Sequence, residues 1–255
     1  MRLRALIGIF LAFWVGGCLP APPPKTPPTP AASPAPKETA TPTVVWFPPT
    51  PTRTPRPTPA PSTPTVPPGL PHGALILSDA FLNSAPLWLF NPAPGGRIAL
   101  EGGELTLTAQ QPRAYGFAVR GQPLLRDFAV QVDAGLNLCQ GMDEYGLILR
   151  YTPPNNFYRF ALSCDGQVRL DRIYNGTATS PQPWSLTGQA PRGAPGSVTL
   201  GARAEGKEIA FYLNGVLQFT IKDPAPAAGE LGVFIRSDTG APLSISFRTL
   251  QVWEP

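Results

Sequence analysis

The only histidine of the 255-residue chain, His72, stands at the end of a proline-rich stretch, and this position limits the chemistry of everything that follows it. Downstream of His72 there is no histidine for a Ser-His-Asp triad, a Cys-His pair or a histidine-ligated zinc site. Function in this part of the chain therefore depends on carboxylates, arginines, aromatic rings and cysteines.

Acidic residues that are close in sequence do not form an acid–base pair. Glu101 and Glu104 flank two glycines, which predicts a hairpin turn. Asp143 and Glu144 are adjacent, so on a strand their side chains would point to opposite faces. No catalytic residue is assigned. Catalysis by two carboxylates from distant strands stays an alternative to a binding function.

Polar residues recur at alternate positions of several predicted strands. With the apolar residues directed inward, the opposite side carries six polar residues: Gln131, Asp133, Arg150, Arg159, Arg169 and Asp171. Guanidinium and carboxylate groups on one face could hydrogen-bond sugar hydroxyls, and Tyr174, Trp184 or Tyr212 could stack on a sugar ring. The alternative is a solvated sheet face with cross-strand ion pairs.

The elements that must position these residues are strands. From Leu75 to Trp253, short stretches with period-two apolar patterning are separated by turn residues, which predicts about ten to thirteen strands. Asn214-Gly215 lies between two such stretches and predicts a type I′ hairpin. Trp88 and Trp253 are expected in core or terminal packing. The pattern is typical of one all-β, two-sheet domain.

Prolines divide the chain, because 21 of the 36 lie between Pro20 and Pro71. Proline fixes φ and lacks an amide donor, so residues 18–71 are predicted to form a disordered, extended tether of roughly 160 Å at most. The net charge of +4 belongs to the leader and tether. From His72 onward, 14 Lys and Arg oppose 15 Asp and Glu, a balance of 14 − 15 = −1, which disfavours nucleic-acid binding.

Residues 1–17 have the pattern of a signal peptide. Arg2 and Arg4 precede an apolar run that is too short to span a membrane, and Gly16 and Gly17 lead directly to Cys18. This pattern resembles the bacterial lipoprotein signal, although Val15 stands where leucine is commoner. The resemblance implies export, lipidation of Cys18, a membrane anchor and display of residues 72–255 at the cell surface. An ordinary secretory signal is the alternative.

Cys139 and Cys164 are expected to form a disulfide, since an exported chain meets an oxidising environment. If the strands at Phe128, Tyr145 and Phe157 form a meander, both cysteines lie at the same end of one sheet. Strands two apart are about 9.6 Å from each other, whereas bridged Cα atoms lie within about 6.8 Å. Cys139 would then have to fold inward from its loop, and two unpaired thiols are the alternative.

Several segments together resemble one superfamily. They are Ser78–Phe81, Tyr145–Arg150, Asn156–Phe160, Asp165-Gly166, Tyr212–Gly215 and Leu243–Phe247. They are similar to concanavalin A-like lectins and glucanases, and within these to laminin G-like and 3-keto-disaccharide hydrolase-like modules. The resemblance implies a two-sheet jelly roll over residues 72–255 and a surface function in binding carbohydrate or another polymer.

The resemblance also predicts a catalytic motif that this chain lacks. A retaining glucanase of this superfamily would carry Glu-x-Asp-x-x-Glu on one strand, and the chain has no such motif. The expected function is therefore non-catalytic binding of carbohydrate or another extracellular polymer, and the protein is expected to be a monomer. A glycoside hydrolase and an adhesive module that binds a protein partner are the alternatives. Laminin G-like relatives sometimes hold calcium, for which Asp79, Asn137 or Asp143 could supply oxygens, but no cofactor or metal is assigned.

Overall fold

The computed structural model describes residues 69–70, 73–224, 227–240 and 242–255. The predicted signal peptide, Cys18 and the tether up to residue 68 lie outside the described residues, so their processing and lipidation stay predictions. Within the described ranges, no helix has the length and apolar character needed to cross a membrane.

From Gly73 onward, the regular secondary structure of the described residues is β-strand, apart from one 3₁₀ turn at Ala85–Leu87. The fifteen strands are β1 (Leu75–Asp79), β2 (Trp88–Asn91), β3 (Arg97–Glu101), β4 (Glu104–Ala109), β5 (Tyr115–Leu125), β6 (Phe128–Leu138), β7 (Glu144–Thr152), β8 (Asn156–Ser163), β9 (Gln167–Tyr174), β10 (Thr177–Leu186), β11 (Gly196–Glu205), β12 (Glu208–Leu213), β13 (Val216–Lys222), β14 (Gly229–Arg236) and β15 (Leu243–Trp253).

The strands form two antiparallel sheets. The eight-stranded sheet has the order β13-β12-β11-β6-β15-β4-β3, and β1 also pairs with β15. The seven-stranded sheet has the order β10-β9-β8-β7-β14-β5-β2. The predicted all-β, two-sheet jelly roll is confirmed. The predicted meander is wrong in one respect: the chain changes sheets after β6, so of the three predicted strands only β7 and β8 are neighbours, in a run that continues through β9 and β10.

The core lies between the sheets and follows from the period-two pattern. Leu105 and Leu107 of β4, and Val130 and Val132 of β6, are fully buried, as predicted. Burial of each large apolar side chain contributes about 1.5–3 kcal/mol. Trp88 is also buried, and its Nε1 donates to Asp79 Oδ2 at 3.0 Å, which confirms its role in packing.

Two turns have the conformations that their sequences predict. Asn214 and Gly215 have φ of 49° and 76°, so both adopt the positive φ that a type I′ hairpin needs. Gly102 and Gly103 join β3 to β4, so Glu101 and Glu104 end and begin neighbouring strands. These two glutamates therefore flank a hairpin turn.

The disulfide between Cys139 and Cys164 is confirmed, with Cα atoms 5.5 Å apart. Its geometry differs from the expected one. Cys139 follows β6 of the eight-stranded sheet and Cys164 follows β8 of the seven-stranded sheet, so the bridge joins the two layers. The difficulty of reaching across two strands therefore does not arise.

Loss of this bridge is expected to destabilise the domain. Replacing both cysteines by alanine frees a segment with a sequence separation of 25, for which the chain-entropy estimate is about 3 kcal/mol. Urea unfolding should show a lower midpoint for Cys139→Ala/Cys164→Ala, and reduction of the unaltered protein should reproduce the shift. An unchanged midpoint in both experiments would contradict a bridging role.

Candidate ligand-binding face

The outer surface of the seven-stranded sheet carries a second apolar layer. Strand pairing aligns Phe117 of β5, Phe234 of β14, Gly146 of β7, Ala161 of β8 and Arg169 of β9 in one row across the sheet. The two small residues lie at the centre of the row, with larger side chains on both sides. Phe234, Gly146 and Ala161 are buried, so this row forms a floor that larger neighbouring side chains cover.

Five half-buried aromatic side chains surround this floor, and we call the surface they form the aromatic face. They are Tyr115, Phe117, Tyr151, Phe157 and Trp184, packed against buried Val119, Ile148, Ala161 and Phe234. Four of the rings form a continuous line: Tyr115–Phe117, Phe117–Tyr151 and Tyr151–Phe157 have centroids 5.7, 6.0 and 5.7 Å apart. Aromatic rings at these distances attract one another and present an extended stacking surface.

Arg159 lies over this layer and is held by a neighbouring strand. Its Nε and Nη2 donate to Asp171 Oδ2 at 3.1 and 2.5 Å, and Ser180 Oγ donates to Asp171 Oδ1 at 2.6 Å. The guanidinium carbon is 5.6 Å from the Tyr115 centroid and 5.4 Å from that of Phe234. The register that pairs Arg159 with Asp171 makes this contact possible.

Arg169 forms the second half of the charged network. Its Nη2 lies 3.1 Å from Glu144 Oε2 and 3.0 Å from Asp171 Oδ2, so it joins the two carboxylates. Arg236 Nη1 donates to Glu144 Oε1 at 3.1 Å. The Trp184 ring stacks on the Arg169 guanidinium, with 4.4 Å between carbon and centroid. Three arginines thus share two buried carboxylates, whose four oxygens all have donors.

The network controls ionisation on this face. Burial disfavours the charged form of Arg159. The hydrogen bond and the charge of Asp171 outweigh this effect and raise the pKa of Arg159. Burial raises the pKa of Tyr115 to about 12, against the opposing effect of Arg159. At neutral pH the face therefore presents fixed cations, and the phenol of Tyr115 stays protonated with its hydroxyl buried.

Four of the eight residues proposed from sequence lie together here: Arg159, Arg169, Asp171 and Trp184. Arg150 does not. Its φ is 53°, and the pairing of β7 with β14 shifts register between Ile148 and Tyr151. This bulge turns Arg150 away from the aromatic face and places Tyr151 there, because an extra residue changes which side chains point outward.

Arg150 instead forms a buried ion pair at the end of the sandwich. Its Nη1 donates to Asp223 Oδ2 at 2.6 Å, and its Nε and Nη2 donate to the carbonyl oxygen of Arg126 at 3.2 and 2.7 Å. The side chains of Arg150 and Asp223 are 3% and 2% exposed. Arg150 is a structural residue.

Tyr174 also lies elsewhere. It follows the inward parity of β9, is largely exposed and has Arg172 stacked 5.1 Å from its ring centroid. Together with Arg150, Tyr158 and Arg172, it lines a cavity of about 250 Å³ at the mouth of the sandwich. Tyr174 and Trp184 therefore cannot serve one sugar ring.

Gln131 and Asp133 belong to β6, which is in the other sheet, so they lie on the opposite outer surface of the sandwich. Asp133 Oδ1 accepts from Thr199 Oγ1 at 2.6 Å. Their placement with the arginines rested on the meander, in which β6 and β7 would have been neighbours. Tyr212 likewise lies in the eight-stranded sheet.

The three residues considered for calcium lie in separate places. Asp79 accepts from Trp88 and Arg120, Asn137 donates to Ser246, and Asp143 accepts from the amide of Asp238. Among the described residues, no group of three His, Cys, Asp or Glu is arranged to hold a metal ion.

Most of the aromatic face was not predicted from the sequence. Tyr115 and Phe117 lie on β5, which was not recognised as a strand, and Tyr151 and Phe157 flank a hairpin. A signal was present: β7 and β8 carry apolar residues at both parities, as in Tyr145–Leu149. Strands that are apolar on both faces indicate a sheet that is covered, or available for binding, on both sides.

No protein-family model matches the chain, and no curated protein matches it in sequence. Among solved structures, it is similar to the β-glucanase of Bacillus licheniformis, with 14% identity, a TM-score of 0.55, and coverage of 72% of this chain and 99% of that one. The catalytic domain of a Thermotoga petrophila RKU-1 endo-1,3-β-glucanase (laminarinase) has 10% identity, a TM-score of 0.53, and coverage of 71% and 97%.

A carbohydrate-binding module of Bacillus subtilis, CBM66, has 17% identity and a TM-score of 0.50, with coverage of 64% of this chain and 92% of that one. At such identities the similarity concerns the fold alone, and it agrees with the resemblance found in the sequence. The described domain therefore shares the two-sheet jelly-roll fold of these glucanase and carbohydrate-binding structures.

Proposed function

We propose that the protein binds carbohydrate non-catalytically through the aromatic face. The observation that carries this proposal is the Arg159–Asp171–Arg169–Glu144 network, which is held rigidly against Trp184 and the line of rings. Structures with this fold include a carbohydrate-binding module and sugar-cleaving enzymes, which is consistent with a sugar ligand.

The face combines the two features that sugar recognition needs. Aromatic rings pack against the apolar side of a pyranose, and fixed donors hydrogen-bond its hydroxyls. Because Asp171 and Glu144 already hold the guanidinium groups in place, little side-chain entropy is lost on binding. The line from Tyr115 to Phe157 suits an extended chain better than a single sugar.

The same network argues against catalysis by these carboxylates. A general acid or base must reach the sugar oxygen within hydrogen-bond distance. Asp171 and Glu144 are buried beneath the arginines, and every one of their oxygens already accepts a hydrogen bond or ion pair. The two carboxylates therefore orient the guanidinium groups of the arginines.

Glycoside hydrolysis is the second candidate, and it is favoured by one carboxyl group. Glu230 extends outward from β14 near Gly121 and Tyr151, burial raises its pKa, and its Oε2 has no hydrogen-bond partner among the described residues. A raised pKa shifts a carboxyl group toward the protonated form that a general acid requires. The test is to measure the release of reducing ends from polysaccharides. If the protein releases them and Glu230→Gln does not, the function is hydrolysis and not binding alone.

Binding is tested by screening the full chain on an array of polysaccharides and oligosaccharides beside Trp184→Ala. We expect one class of linear glycan to bind, with affinity lowered at least tenfold in the variant, because loss of a buried aromatic contact costs more than 1.4 kcal/mol. Binding that Trp184→Ala leaves unchanged would reject the aromatic face. A blank array would reject carbohydrate binding and favour a protein partner.

Display of this domain at the cell surface is part of the proposal. The lipoprotein-type leader and the proline-rich tether support it, because together they would anchor the chain and extend the domain from the membrane. When cells are grown with a labelled fatty acid, we expect the protein to become labelled and Cys18→Ser to abolish the label. A protein that stays unlabelled would contradict lipidation of Cys18.

A further inference from the structure

The tether residues that the structure describes, Gly69 and Leu70, lie on the outer surface of the eight-stranded sheet. Leu70 is only 4% exposed. A Cβ added to Gly201 of β11 would come within 2.8 Å of Leu70 Cδ1, so the absence of a side chain at this glycine makes room for the leucine. The chain is therefore fixed to the sheet before the domain's first strand begins.

Gly69 shows in which direction the chain runs upstream of Leu70. Gly69 adopts φ of 131°, and an added Cβ would lie 2.9 Å from the Gly215 carbonyl oxygen and 3.6 Å from Tyr212 Cε1. Going backward along the sequence, the chain thus passes from β11 to the hairpin between β12 and β13. The next residues upstream are Val66, Pro67 and Pro68.

The surface at that hairpin is apolar and open. Leu217 is 53% exposed, and the strand pairing places it opposite Tyr212. A groove of about 550 Å³ begins there: Tyr212 and Leu217 line its apolar end, Ala210 and Thr220 its middle, and Arg203, Glu205 and Glu208 its charged end. Grooves with an aromatic wall are the usual docking sites for polyproline segments, whose extended conformation costs little entropy to fix.

We propose that residues 66–68 cross the β12–β13 hairpin and that Val66 packs on Leu217. The lengths agree: four residues of polyproline II span about 12 Å, and two strand spacings, from β11 to β13, span about 9.6 Å. Val66 is the apolar residue at this distance, and the segment from Pro59 to Pro68 carries no charge that would oppose burial.

The docked tether leaves the proposed binding surface free. The aromatic face belongs to the seven-stranded sheet and is on the other side of the sandwich from Leu70. A tether held in this way directs the aromatic face away from the point where the tether leaves the domain. The inference does not depend on the identity of the ligand.

Crosslinking within the full chain tests the proposal. In a Cys18→Ser background, Val66→Cys combined with Leu217→Cys is compared with Val66→Cys combined with Gln251→Cys. Gln251 is the matched control, because it is on the same side of the eight-stranded sheet and lies two strands from Gly201 in the opposite direction, across Gln131 of β6. We expect the first pair to form a disulfide at least tenfold faster in a glutathione buffer, since docking raises the local concentration of the two thiols.

An undocked tether gives a different result. Because Leu70 fixes the tether between the two partner positions, a free segment would reach both of them at similar rates. Equal rates, or faster bridging to position 251, would overturn the proposal. Adding Leu70→Ala to the first pair should lower its rate to that of the control, and an unchanged rate would show that the Leu70 contact does not guide the segment.

Discussion

Replacing Arg150 by alanine is expected to lower the free energy of unfolding by about 3–5 kcal/mol, because removal of one partner leaves a buried charge without its counter-ion. The Arg150 guanidinium contacts the Asp223 carboxylate and the Arg126 carbonyl oxygen at the mouth of the sandwich. Chemical denaturation measured by tryptophan fluorescence gives this value directly.

Arg97→Ala is the matched control for this prediction. Arg97 also pairs with a carboxylate, that of Glu101, but the two side chains are 70% and 73% exposed. Exposed pairs contribute about 0–1 kcal/mol, so the control should unfold almost as the unaltered protein does. A loss of similar size in both variants would contradict a special role for the buried pair. Glycan binding by folded Arg150→Ala protein should be unchanged.

The second large effect concerns binding. Arg159→Ala is expected to lower glycan affinity at least tenfold, because hydrogen bonds to charged groups contribute about 1.5–3 kcal/mol. Arg159→Lys should lose most of the affinity as well, since a lysine keeps the charge but cannot reproduce the planar fork that meets Asp171. Isothermal titration with the glycan identified by the array measures both.

Arg248→Ala supplies the control for Arg159→Ala. Arg248 pairs with Glu104 on the outer surface of the eight-stranded sheet, away from the aromatic face. Its removal should leave affinity within twofold of the unaltered protein. If Arg248→Ala weakens binding as much as Arg159→Ala does, charge in general attracts the ligand and no particular face binds it.

Much of the fold was predictable from local signals. Period-two patterning identified the inward residues of β4 and β6, and Asn214-Gly215 defined a hairpin, because these features depend on neighbouring residues only. Some strands escaped detection for equally local reasons. Among them, β10 contains Pro181 and Pro183, which are tolerated because it is an edge strand, and β5 contains Pro123.

The candidate site was predictable only in part, because it depends on which strands become neighbours. Arg159, Arg169 and Asp171 come from β8 and β9, a hairpin whose register the sequence determines. Asp133 was misplaced because nothing local marks the change of sheet after β6. Arg150 was misplaced because one bulge residue reverses the side to which a strand position points.

The most direct test of the proposed function is to map the contact surface in solution. Nuclear magnetic resonance titration of the full chain with the glycan from the array should shift the signals of the aromatic face, above all those of Phe117, Arg159 and the Trp184 indole. Shifts confined to the outer surface around Asp133, or to the cavity beside Tyr174, would contradict it and place the ligand elsewhere.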